Sequence, residues 1–313
     1  MQALATAVLP VFLLILLGFL IRRRGWLTLG FWEPAERLCY FFLLPALLVT
    51  SLAGADFSGL PAAAMAGAVA AAIFSMAALQ WLFHLIQANC FQGGDGPGFT
   101  AVLQTSIRPN TYIGLSIPFA LFGEPGLTIA ALLVAVTVPS VNLLSVAALL
   151  RYGGNYAGQR PGPNPGLLRA LLVNPMILSC FLGLLLNLSG LGLPPVVDET
   201  LGILARAALP LALLAVGAGL DLGAAKAAGA RVGAAVVLKL AGLPLITAGF
   251  CGLLGVDGLA WTVALIFSAL PAATSSYILA RQMGGAPTLV ANILTVQTLA
   301  AALTLPLLVF FIT

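Results

Sequence analysis

The chain has 313 residues, 61% of them hydrophobic and 7% charged, with a net charge of +4 and a mean hydropathy of +1.11. That composition excludes a water-soluble domain, and basic residues scattered among short loops exclude a nucleic-acid-binding face. The four cysteines, Cys39, Cys90, Cys180 and Cys251, stand apart and form neither a disulfide framework nor a metal-ligand set; no metal or cofactor is expected.

Taken in order, ten apolar stretches lie near 3–21, 35–53, 61–86, 98–122, 126–150, 167–188, 199–220, 228–254, 258–283 and 288–312. A helix needs roughly 20 such residues to cross a hydrocarbon core of ~30 Å. The first stretch has its charges, Arg22, Arg23 and Arg24, after the apolar run. A cleavable signal peptide has them before it, so a retained span is expected. The cluster GGDGPG at 93–98 lacks the Lys-Ser/Thr ending of a phosphate loop and reads as a turn. The run RYGGNYAGQRPGPNPG at 151–166 is a flexible link close to the centre of the chain. The sequence therefore predicts an all-α polytopic membrane protein of ten transmembrane helices, with halves at 1–150 and 167–313.

Orientation follows from lysine and arginine placement. Arg22 to Arg24, then Arg151, Arg160 and Arg169, then Lys226 and Arg231, then Arg281 all follow odd-numbered spans. Asp56, Glu124, Asp198, Glu199 and Asp257 follow even-numbered ones. Odd loops are expected in the cytoplasm of a bacterial inner-membrane protein, with both termini facing outward.

The two halves repeat each other. LLPALLVTSLAGADF at 43–57 matches ALPLALLAVGAGLDL at 208–222, and eleven residues separate Pro45 from Asp56 as they do Pro210 from Asp221. Sixteen residues separate Pro109 from Pro125, and sixteen separate Pro271 from Pro287. Five spans is an odd number, so the second copy enters the membrane inverted. Inverted repeats with broken helices are the pattern of secondary transporters, whose substrate binds near the midplane at the breaks.

The predicted breaks are in spans four and nine. Span four, AVLQTSIRPNTYIGLSIPFALF, carries Arg108, Pro109 and Asn110 in its middle. Proline lacks an N–H and clashes with the preceding turn, and an opened backbone at that depth survives only in protein or beside a wet cavity. Span nine breaks at Pro271. Two half-helix N-termini facing one cavity favour an anion. Asn110, Thr111 and Tyr112 flank one break, and Thr274, Ser275 and Ser276 the other.

The run RPNTYIGLSIPFALFG resembles span four of the auxin efflux carrier family, which includes bacterial malonate and malate permeases. LPLALLAVGAGLDL resembles that family's span seven; LPAATSSYILARQMGG and the TLP at 304–306 resemble spans nine and ten. The resemblance covers essentially the whole chain. It implies two inverted five-helix repeats. A mobile core of spans 3–5 and 8–10 would work against a panel of spans 1, 2, 6 and 7, and panel helices would form a homodimer. It also implies a small organic anion as substrate, with Pro109, Asn110 and Pro271 at the crossover. Ala272 and Ala273 follow the second break, so no asparagine there matches Asn110.

Several polar residues admit two readings. Arg108 either neutralises a substrate carboxylate or pairs with helix-end carbonyls. Lys239, deep in span eight, is a substrate cation, a counter-charge, a proton carrier or a core residue. Gln104, Asn142, Asn292 and Gln297 either line the cavity or join helices by hydrogen bonds. Glu33 and Arg37 read as a local i,i+4 ion pair, and Asp56 and Asp221 as helix or turn caps. The leading function is alternating-access transport of a small carboxylate across the bilayer. A sodium-coupled organic-anion importer of the bile-acid-symporter type is the alternative within that class, and a membrane sensor, structural subunit or intramembrane enzyme the alternatives outside it. Glutamate or aspartate is expected in the middle of no span, which argues against a carboxylate-pair proton antiporter.

Overall fold

A computed structural model describes residues 2–90, 95–154, 173–225 and 229–312. Most of the link expected at 151–166, together with Arg160, Arg169 and Lys226, lies outside the described residues. Within them all regular structure is helical: α1 (Gln2–Arg24), α2 (Leu29–Leu38), α3 (Leu44–Ala53), α4 (Ala62–Cys90), α5 (Gly96–Ile107), α6 (Thr111–Tyr152), α7 (Pro175–Ser189) and α8 (Pro195–Ala218). After them come the single turn α9 (Leu222–Ala225), then α10 (Ala230–Val237), α11 (Leu243–Leu253), α12 (Gly258–Ser268), α13 (Ser275–Gln282) and α14 (Pro287–Ile312). Helices satisfy the backbone internally, which a hydrocarbon environment demands. Six helical stretches among the described residues are long and apolar enough to cross a membrane, and α7 and α12 are shorter apolar helices. Large apolar side chains such as Leu188, Leu253 and Phe311 point outward almost fully exposed, the surface expected of a protein solvated by lipid.

Three local departures shape the bundle. Two π-helical stretches, Cys39–Leu43 between α2 and α3 and Leu238–Gly242 between α10 and α11, keep the chain helical while shifting its register. The long α6 is two helices meeting at Gly123, whose φ of 64° and ψ of −146° only glycine adopts readily. The chain folds back so tightly there that a side chain on Gly126 would strike the Pro118 carbonyl. This is the connection between predicted spans four and five, reduced to a corner.

Packing sorts the helices. α1 lies along α8, and their backbones meet at Gly18 and Gly217, where a Cβ would collide with the Leu214 and Ile15 carbonyls. α3 packs on α7 and α8. Elsewhere α4 packs on α6 and α11, α5 on α6, α10 and α14, and α12 on α6 and α11. Asp95 caps α5 through the Gly98 N–H and forms a salt bridge with Arg231 of α10. Near that end Trp81, His84, Phe99 and Tyr152 cluster: the His84 and Phe99 rings stack 4.2 Å apart, and the Trp81 indole N–H donates to the Tyr152 hydroxyl at 3.1 Å. His84, the single histidine of the chain, is thus held among aromatic rings. Asp56 and Asp221, at matching repeat positions, close the same small turn, accepting from the N–H groups of Ser58 and Gly223 at 2.9 Å each.

Candidate functional site

α5 stops at Ile107 because Pro109 cannot continue it, and the chain passes through Arg108 and Pro109 in extended conformation before α6 begins at Thr111. Asn110 restarts the helix. Its amide oxygen accepts from the N–H groups of Tyr112 (3.1 Å) and Ile113 (3.3 Å), satisfying donors that a helix start otherwise leaves orphaned.

The second break runs over 269–274, between α12 and α13. The two breaks touch: Pro109 and Ala272 form an antiparallel bridge, and the Asn110 N–H donates to the Pro271 carbonyl at 2.7 Å. Close approach is possible because Gly114 has no side chain; a Cβ there would lie 2.7–2.8 Å from Leu270 and Phe267. The crossover inferred from the two prolines is a physical contact.

Gln297 of α14 holds the crossing from behind. Its amide oxygen accepts from the Ala272 N–H at 3.0 Å, and its NH2 donates to the carbonyls of Ala235 (2.9 Å) and Thr105 (3.2 Å). One fully buried side chain thus satisfies three backbone groups at the second break, at the last turn of α5 and at the turn before the Leu238–Gly242 π stretch. Of its two sequence readings, the structure gives it the helix-joining one.

In front of the crossing lies a cavity of about 630 Å³, a size that suits a small-molecule ligand. Arg108, Pro109, Asn110, Thr111 and Tyr112 line it from the first break, and Thr274 and Ser275 from the second. Asn142 lines it from the second half of α6. Arg108 is 6% exposed; one guanidinium nitrogen reaches the Val141 carbonyl at 3.5 Å and its Nε has no partner. A buried cation with unused donors beside a cavity is built to meet an anion.

The structure does not bring the remaining candidates to this cavity. Pro271 is buried behind it, with its carbonyl bound to Asn110. Gln104 donates to the Thr100 carbonyl within its own helix at 3.2 Å. Ser276 and Lys239 are fully buried, and among the described residues Oγ and Nζ have no partner; the π stretch turns Lys239 into the packing between helices. Asn292 is buried on α14 and does not line the cavity either.

The cavity also has a wall that sequence reasoning missed. Glu33, Glu36, Arg37 and Tyr40 of the α2 segment line it, and so does Asn174. The Glu36 carboxylate accepts from the Thr274 hydroxyl at 2.6 Å, joining residues far apart in the chain. The expected Glu33–Arg37 ion pair is not formed; among the described residues the salt bridge is Arg231 to Asp95. Both side chains belong to the cavity rim instead. Asn174 caps α7 as Asn110 caps α6, accepting from Met176 (3.0 Å) and Ile177 (3.3 Å). The Asn-Pro dipeptide at 174–175 was the available signal, a cap followed by proline at the first helical position.

Comparison with known proteins bears on what such a cavity serves. A family model described as "Membrane transport protein" matches residues 164–309. The matched stretch covers the second half of the chain, and this half is thus similar to membrane transport proteins. The chain is 25% identical over 300 residues, 96% of its own length and 95% of the relative's, to a Methanothermobacter thermautotrophicus protein named "Uncharacterized transporter". It is 27% identical over 312 residues, 95% of its length and 93% of the relative's, to a Rhizobium meliloti protein named "Putative malonate transporter". The family model and both relatives are described as transporters, which indicates a transporter and not an enzyme.

Proposed function

We propose that this transporter carries a small carboxylate by alternating access, binding it in front of the crossing of the two broken helices. The observation that carries this reading is the cavity itself. Arg108, buried with an unused donor, and Asn110 both line a space that fits a small organic anion. The relative named for malonate is consistent with a carboxylate. In the proposed topology the chain crosses ten times as two inverted repeats, with both termini outward in a bacterial inner membrane. The matched Asp56 and Asp221 turns and the antiparallel crossing support the inversion. α1, α3, α7 and α8 form the panel, and the helices gathered around α5, α6 and α12 form the moving core; the packing of α1 on α8 and of α3 on α7 supports that division. A homodimer through the panel rests on family likeness.

A thermal-shift screen of purified protein against mono- and dicarboxylates, malonate included, tests the reading. A carboxylate is expected to stabilise the wild type, and Arg108→Ala and Asn110→Ala are each expected to weaken that shift. Carboxylate-dependent shifts that survive both substitutions unchanged would sink the proposed site.

A further inference from the structure

The proposed carrier has no assigned driving ion, and Glu36 on the cavity wall, bonded to the Thr274 hydroxyl, is placed to take up a proton with little rearrangement. We infer that Glu36 is the proton-coupling carboxylate of this protein: one proton binds to it as one carboxylate substrate binds beside Arg108. This inference rests on the carrier reading above for its substrate, but the proton site can be tested without one.

Three observations converge. The first is position. Glu36 sits on the α2 wall while its partner Thr274 follows the second break, so a single contact spans the space in front of the crossing. The second is the nature of that partner. Among the described residues no lysine, arginine or histidine pairs with Glu36; its bond is to a hydroxyl. A cation would hold the carboxylate in its charged form. A hydroxyl both donates and accepts, so the 2.6 Å contact persists in either state: Thr274 donates to the carboxylate and accepts from the carboxylic acid. The third is charge. Glu33, Glu36, Arg37 and Arg108 line the cavity, two negative groups against two positive. An arriving carboxylate adds negative charge to a balanced site, and a nearby like charge favours the protonated acid. One proton on Glu36 offsets one charge of the substrate.

The titratable and charged groups around Glu36 are few. On its own segment they are Glu33, Arg37, Cys39 and Tyr40; the crossover presents Arg108 and Tyr112. α8, which packs against α2, carries Asp198, Glu199 and Arg206, and α13 carries Tyr277 and Arg281. The proton balance is simple. Water on the side to which the cavity is open supplies the proton, an O–H bond forms on the Glu36 carboxyl, and the same bond breaks to water after the substrate has left on the other side.

Two measurements decide it. Infrared difference spectra of substrate-free protein, taken on acidification, are expected to show a protonated-carboxyl band in the wild type that Glu36→Gln lacks and Thr274→Val shifts. In proteoliposomes, uptake of labelled malonate under an inside-alkaline gradient is compared with uptake at equal pH. With one proton per substrate the wild type should gain about tenfold in accumulation per pH unit, whereas the ratio for Glu36→Gln should fall to one whatever its absolute rate. Glu36→Asp, which keeps the acid, covers the case in which the glutamine variant does not fold, and should retain the band at a new position. A band common to wild type and variant, or a gradient ratio that Glu36→Gln preserves, overturns the inference. If the band behaves as expected but malonate is not taken up, the proton site stands and the malonate reading of the carrier falls.

Discussion

The two breaks that meet at Pro109 and Ala272 are built in opposite ways. The first is short and caps itself, because Asn110 supplies the oxygen that the restarting helix needs. The second is longer, its N-cap Thr274 makes no capping bond, and it is held by side chains from elsewhere: Gln297 behind and Glu36 in front. A self-contained break can keep its shape while its surroundings move. A break held from outside takes its shape from whichever partners it has, and a change in those partners reaches the cavity directly. On the proposed carrier reading, the asymmetry fits ligand recognition at the first break and coupling at the second.

That contrast can be broken at several points, beginning with the largest effect. Gln297→Leu removes three hydrogen bonds and leaves the buried Ala272 N–H without its acceptor, which should cost about 2–3 kcal/mol; chemical unfolding in bicelles measures it, and a loss under about 0.5 kcal/mol would mean the second break does not depend on its external support. Arg108→Met removes the buried guanidinium, and carboxylate affinity should drop roughly 10–100-fold by calorimetry, the equivalent of about 1.5–3 kcal/mol for charged hydrogen bonds. An unchanged affinity would move the anion site elsewhere. Asn110 separates capping from recognition: Asn110→Ala should lose about 1 kcal/mol of stability along with binding. Asn110→Asp should keep the cap and lose only anion binding. The smallest effect concerns the exposed turn at Asp56, whose carboxyl is held below its usual range by hydrogen bonds from the Ser58 hydroxyl and N–H. The turn is formed above the ordinary carboxylate range and lost as pH falls through the lowered value, so protection of the Ser58 amide relative to its intrinsic exchange rate should fall on acidification in the wild type and stay flat in Asp56→Asn.

Both breaks were legible in the sequence because each depends on a local rule: a proline inside an apolar helix, and a capping asparagine beside one of them. Their contact was legible from the repeat, since the prolines recur with equal spacing to a later proline. The opposite wall was not legible. Glu36 and Thr274 are joined only by tertiary packing, and an i,i+4 pattern suggested that neighbouring Glu33 and Arg37 would satisfy each other. The structure turns that segment toward the cavity instead. Gln297 illustrates the same limit: a polar residue in an apolar helix announces that a partner exists, but not that it has three. The connection between spans four and five was expected where the corner at Gly123 lies, but the π stretches were missed because an apolar run looks alike whether the helix within it is regular or shifted.

The aromatic cluster at the far end of α5 provides a built-in optical gauge. Trp81 on α4 touches Phe99 on α5 and Tyr152 on α6, three segments that the carrier reading assigns to one moving body. With Trp26, Trp32 and Trp261 replaced by phenylalanine, the emission of Trp81 would report on that junction without an attached dye. Constant emission through a transport cycle would mean the three segments travel together. A change would mean that α5 slides against its neighbours, and that the crossing is reshaped during transport as well as relocated.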